Sequence, residues 1–109
     1  MYFYKTKIEI GENMGKHAYL IMAHNEYGVL KKLLKLLDDE RNDIYLHIDK
    51  KSPDISQKEI SQIVKKSKFK TYKKLNIHWG GDTQIKCELF LLKESVKYNY
   101  DYYHILSRG

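Results

Sequence analysis

Cysteine, proline and tryptophan occur once each in this 109-residue chain, as Cys87, Pro53 and Trp79. A single thiol cannot close a disulfide within the chain or build a cysteine metal site, which fits a reducing compartment. Cys87 stands in a helical pattern with no thiolate-stabilising motif around it, so it reads as an inert thiol rather than a nucleophile. No apolar run approaches the roughly 18 residues needed to span a bilayer. Met1 to Lys16 has no apolar h-region, so no signal peptide is expected. Neither G-x-G-x-x-G nor G-x-x-x-x-G-K-[ST] occurs, which removes support for the dinucleotide and P-loop classes. The stretch His47-Ile48-Asp49-Lys50 has no second acid two residues on, so a chelated divalent cation is not supported. His47, His78 and His104 do not stand at metal-like spacing. No RNP-like or helix-turn-helix pattern, repeat or low-complexity segment is present.

What remains is 42% apolar and 31% charged, with a net charge of +6. That is enough for one small domain with a core, and not for two. The basic balance suggests an anionic partner (a nucleotide, a nucleic acid or a membrane surface) without choosing among them. Lysine carries most of the positive charge, often in doublets such as Lys31-Lys32, Lys50-Lys51, Lys65-Lys66 and Lys73-Lys74, and such doublets usually mark solvated faces.

Residues 1–16 read as an irregular or disordered tail. "MYFYKTKIEI" has strand character, "GENMGK" breaks it, and Met14 offers a second possible start. His17 to Ala23 (HAYLIMA) is apolar almost throughout, as a buried parallel strand tends to be. Asn25 is placed as an N-cap, and Leu30, Leu33, Leu34 and Leu37 then fall on one helical face. Asp43 to Asp49 predicts a second strand with Ile44, Leu46 and Ile48 on one face. Ser56 to Lys66 predicts a helix built on Ile60, Ile63 and Val64. Phe69 to Tyr72 follows as a strand, and Leu75 to Trp79 as a short extended piece. Asp82 or Thr83 caps a long helix with Ile85, Leu89, Leu92 and Val96 at helical spacing. Tyr102 to Leu106 is the last strand. Alternation of this kind predicts a parallel-sheet α/β domain with right-handed crossovers.

In such a sheet the strand ends gather on one edge, where ligands bind. The candidates there are Ala23, His24, Asn25 and Glu26; His47, Asp49, Lys50 and Lys51; Trp79, Gly80, Gly81 and Asp82; and Ser107 with Arg108. Asp49 is the sharpest, since a carboxylate ending an apolar strand could accept hydrogen bonds from a ribose or a base imide. The bland alternative is a loop cap. His24 and Glu26 could form an acid/base pair, but nothing fixes their geometry, and capping and loop packing is the preferred reading. His47 reads as a packed histidine. Trp79 before two glycines could stack on a base or sugar, or simply fill the core before a turn. Tyr98, Tyr100, Tyr102 and Tyr103 among lysines could bind a single strand.

Four segments, "AYLIMAHNE", "IYLHIDKKS", "IHWGGDTQIKCELFLLKES" and "DYYHILS", in this order and spacing, resemble the core-2/I-branching β-1,6-N-acetylglucosaminyltransferase family, with which the peptide-O-xylosyltransferases group. The likeness spans His17 to Ser107. It implies a GT-A-type fold whose first half is a Rossmann-like nucleotide-sugar domain. It also implies inverting sugar transfer from a UDP-sugar to a glycan or polysaccharide acceptor, with no metal or other cofactor. By the same resemblance, Asp49 matches the aspartate that contacts the uridine. Ala23 and His24 match the loop lining the uracil pocket, Trp79-Gly80 the segment flanking the nucleotide, and Ser107 the start of an S-G-x-D loop.

The family reads Ser-Gly where this chain has Ser107-Arg108-Gly109, and the aspartate of that loop is not present. An inverting transferase needs a base for the acceptor hydroxyl and positive charge for the leaving diphosphate. In the family both come from the second half. Residues 17–109 are therefore expected to be a partial, truncated GT-A domain, an amino-terminal fragment inactive alone, cytoplasmic or peripheral to a bacterial inner membrane, with no nucleic-acid partner. The competing readings are a non-catalytic basic module that binds a nucleotide or RNA, and a relic whose half-sheet leaves an unpaired edge exposed.

Overall fold

The computed structural model describes residues 15–23, 27–52, 57–78 and 81–107. Among them the elements run β1 (His17–Ala23), α1 (Tyr27–Leu37), β2 (Asn42–Ile48), α2 (Gln57–Ile63), β3 (Phe69–Tyr72), α3 (Asp82–Val96) and β4 (Tyr102–Ser107). The strands form one parallel sheet in the order β3-β2-β1-β4. The expected Rossmann-like α/β class is therefore the one observed. Residues 1–14 of the proposed 1–16 tail, the loop residues His24, Asn25 and Glu26, and the Trp79-Gly80 pair lie outside the described residues.

Strand periodicity sorts the core into two layers. Ile44, Leu46 and Ile48 of β2 join Ile21 and Ala23 of β1 against Leu30 and Leu34 of α1 and Ile60 of α2. Ala18, Leu20 and Met22 of β1, with Tyr45 of β2 and Tyr103 and Ile105 of β4, meet Cys87 and Leu91 of α3 on the other face. Leu34 and Ile60 are fully buried, and each such side chain contributes about 1.5–3 kcal/mol by leaving water.

The expected extended piece runs over residues 73–78 as an irregular strap that crosses the end of the sheet outside the strand ladder. Two expectations are corrected. The N-cap of α3 is Gly81, which makes no side-chain cap, rather than Asp82 or Thr83. The Thr83 hydroxyl instead accepts the His78 N–H at 2.6 Å. Finally, α3 does not bury the stripe its leucines suggest. It turns Gln84, Cys87, Leu91 and Ser95 inward and leaves Ile85, Leu89 and Val96 exposed, with Leu92 only partly covered. Small residues on that face let the helix approach a sheet surface already filled by Tyr45 and Tyr103.

The amino edge of the sheet is sealed by a polar cluster. The Tyr100 hydroxyl donates to Asp43 Oδ2 at 2.6 Å and lies 2.8 Å from the Tyr45 hydroxyl. Lys16 reaches the other Asp43 oxygen at 3.2 Å, and its carbonyl accepts the N–H groups of Asp101 and Tyr102. After α3 the chain reverses at Asn99, whose φ of 54° is the left-handed conformation that asparagine tolerates at a helix end.

Candidate functional site

The chain leaves β1 for β2 and β3 on one side, then crosses back through α3 to place β4 on the other side of β1. The carboxyl ends of β1 and β4 therefore flank a topological switch point, where open α/β sheets hold ligands. Register puts Ala23 opposite Ile48 and Met22 opposite Ser107. The Asp49 N–H donates to the Ala23 carbonyl at 2.8 Å. Of the six expected site residues, Ala23, Asp49 and Ser107 are thus brought to one end of three adjacent strands. His24, Trp79 and Gly80 lie outside the described residues.

Asp49 is fully buried. Its Oδ1 accepts the N–H groups of Lys51 and Ile77, each at 3.2 Å. Its Oδ2 has the half-exposed Lys51 ammonium 3.2 Å away but no aligned hydrogen bond among the described residues. Burial would push this carboxyl up, but the two N–H groups and the ammonium outweigh it and hold the group below the usual range. The arrangement gives an ionised acceptor at the sheet edge whose second oxygen, also buried, has no aligned donor among the described residues. A buried carboxylate in that state demands partners.

Asp49 also anchors the strap. The Lys50 N–H donates to the Leu75 carbonyl at 3.0 Å, and the Lys51 ammonium donates to the Ile77 carbonyl. Lys73 Nζ reaches the Ser52 carbonyl at 3.3 Å. The strap then turns at His78, whose carbonyl accepts the Gly81 N–H at 2.9 Å. Gly81 has an ordinary extended backbone. Its lack of a side chain matters because a Cβ there would meet the His78 carbonyl oxygen at 3.3 Å.

Sequence reasoning missed a contribution from His47. It is buried as expected, yet its Nε2 accepts two backbone N–H groups of the strap, from Lys74 at 3.2 Å and Leu75 at 3.1 Å. A histidine inside an otherwise apolar strand was the available signal, but its partners lie 27 and 28 residues downstream. Cys87 is buried, and burial, with Glu88 and Asp49 adding to it, pushes its thiol up to about 12. A thiol in that state is a poor nucleophile.

Among the described residues no three His, Cys, Asp or Glu side chains group to hold a metal ion, and no helix is long and apolar enough to cross a membrane. Comparison with curated proteins returns no match. Residues 17–108, from the first residue of β1 through β4, match the Core-2/I-Branching enzyme family. The match covers both faces of the sheet and the switch-point edge together, and on it the chain belongs to the Core-2/I-branching enzymes, a family of glycosyltransferases that pass a sugar from a donor to an acceptor.

Proposed function

We propose that the carboxyl edge of this sheet is the donor site of an inverting, metal-independent transferase with a GT-A-type fold. The donor is a UDP-sugar of the N-acetylglucosamine type, and the acceptor is a glycan or polysaccharide hydroxyl. The observation that carries the reading is the buried, ionised Asp49 at the switch-point edge, within the stretch that matches the family. Its second oxygen, which lacks an aligned donor among the described residues, suits the imide N–H or a ribose hydroxyl of uridine, both of which donate hydrogen bonds. Ala23 and Ser107, with His24, Trp79 and Gly80, complete the donor side. Asp49 is not the base for the acceptor, because its carboxylate is committed to Ile77 and Lys51. A depressed carboxylate is also a weak proton acceptor. The chain alone is therefore expected to bind donor nucleotide without transferring sugar.

Calorimetric titration with UDP, CMP, AMP and a short RNA tests this. UDP should bind selectively, with affinity unchanged by EDTA. Asp49→Asn keeps one acceptor oxygen and should weaken UDP by about tenfold, near 1.4 kcal/mol. Binding indifferent to the base and falling steeply with salt would instead support a basic module that grips phosphates through its lysines.

A further inference from the structure

We propose that His47 is a positioning residue for the carboxyl-edge site: its neutral ring, with the proton on Nδ1, holds the strap 73–78 through Nε2, and protonation of Nε2 releases that strap. The consequence for nucleotide binding rests on the donor-site reading above. The consequence for the strap does not.

The tautomer follows from the hydrogen bonds. Nε2 faces the N–H groups of Lys74 and Leu75, so it must present a lone pair, and the ring proton must sit on Nδ1. Adding a proton to Nε2 places an N–H donor against two N–H donors and removes both bonds at once. It also places a cation in a site from which water is excluded, His47 being 0% exposed, and such burial disfavours the charged form.

The surroundings offer little compensation. The register partners of His47 are Met22 on β1 and Tyr72 on β3, neither of them charged at neutral pH. From α3, Phe90 meets the ring edge-on at 6.3 Å. That helix also carries the neutral thiol of Cys87, with Glu88 and Glu94 as its nearby acids, Glu94 being paired with Lys97 at 3.0 Å. The strap brings Lys74, whose ammonium lies 5.4 Å from the Phe90 ring and opposes a second positive charge. Among the described residues Asp49, just past the end of the strand, favours the imidazolium. Burial prevails over it and holds His47 below the usual histidine range.

The strap bears on the site because its two anchors alternate along β2. His47 holds Lys74 and Leu75, and Asp49 holds Ile77. Freeing the first anchor loosens the segment that the second must keep in place. The Asp49 oxygen that now receives Ile77 then loses its fixed partner.

The test is a pH titration of the full-length, isotopically labelled chain by NMR, with amide exchange and UDP calorimetry at the same pH values. At neutral pH the ring should show the Nδ1–H tautomer, and the Lys74 and Leu75 amides should be protected. As pH falls below the ordinary histidine value of about 6.5, those two amides and Ile77 should lose protection at the midpoint of the His47 ring itself. Amides of β1 and β4 should stay protected. UDP affinity should fall by about tenfold or more through the same midpoint. His47→Gln, whose amide oxygen can accept the strap N–H groups without titrating, should keep UDP binding and lose this pH dependence. His47→Leu should bind UDP weakly at every pH. Persisting protection of Lys74 and Leu75 after the ring has titrated would overturn the proposal. So would an unchanged pH dependence in His47→Gln. If UDP binds at no pH while the strap amides still follow the ring, the strap mechanism holds and the donor-site reading fails. Should neither variant fold, the amide titration of the unaltered chain decides.

Discussion

At the scale of single residues, two side chains at the carboxyl end of β2, His47 and Asp49 just beyond it, each make the fold sensitive to acid, in different pH ranges. Asp49 is held below the usual carboxylate range. Its contribution is full above the unfolded carboxylate value of about 3.9 and is lost as pH falls through the lower folded value. His47 is also held below its usual range, but for a base this means that the unfolded chain takes up the proton first. Stability therefore declines from about pH 6.5 downward until the folded ring also titrates. Urea melts between pH 8 and pH 3 should show two separate losses, and the upper one should vanish in His47→Gln. Asp49→Ala should destabilise by about 3 kcal/mol, since it strands the N–H groups of Lys51 and Ile77 that the buried carboxylate accepts. Chemical denaturation would measure that loss. Cys87 should resist thiol reagents in the native state and react only at the rate of unfolding, because it is both buried and protonated. A disulfide-exchange assay with and without urea would detect this.

At the scale of elements, the sequence was most legible where apolar runs are long. β1, with seven apolar or aromatic positions bounded by polar residues, and the leucine face of α1 follow directly from period and burial. β2 reads as well because its alternating Ile44, Leu46 and Ile48 face one layer. α3 was misread because Ile85, Leu89 and Val96 lie outside the buried stripe. The helix meets the sheet through Cys87 and Leu91, with Gln84 and Ser95 buried on the same side, while tyrosines from the strands supply much of the bulk. Period alone locates a helix, but which stripe is buried depends on what the opposing surface already contains. Leu91→Ala should thus cost about 2–5 kcal/mol, while Ile85→Lys and Leu89→Lys should stay within about 0.5 kcal/mol of the parent. Thermal melts of the three variants would separate the two stripes. The strap was legible only as an extended stretch, because its partners are side chains of a strand far back in the chain. The cap of α3 was misassigned for a related reason, Thr83 being engaged by His78.

At the scale of the whole molecule, β1 is an interior strand whose two neighbours both follow it in the sequence, one near and one far. It pairs β2 after one crossover but meets β4 only after the rest of the chain is in place. The Lys16 N–H donates to the Asp101 carboxylate, and the Asp101 N–H to the Lys16 carbonyl, across a separation of 85 residues. Parallel pairings of such range are slow to form, so refolding monitored by stopped-flow fluorescence of Trp79 should occupy milliseconds to seconds. Truncation before Tyr102 uncovers one whole side of β1 and should abolish the cooperative transition seen by circular dichroism. The strap has a different kind of consequence. The strands of the sheet are fixed to one another by backbone groups that no substitution can change. For the strap the acceptors are an imidazole and a carboxylate, so two codons govern how the rim of the sheet is shaped. Variation at positions 47 and 49 can re-cut that rim while the strand ladder beneath it is left untouched, which gives this fold a way to acquire new ligands without relearning how to fold.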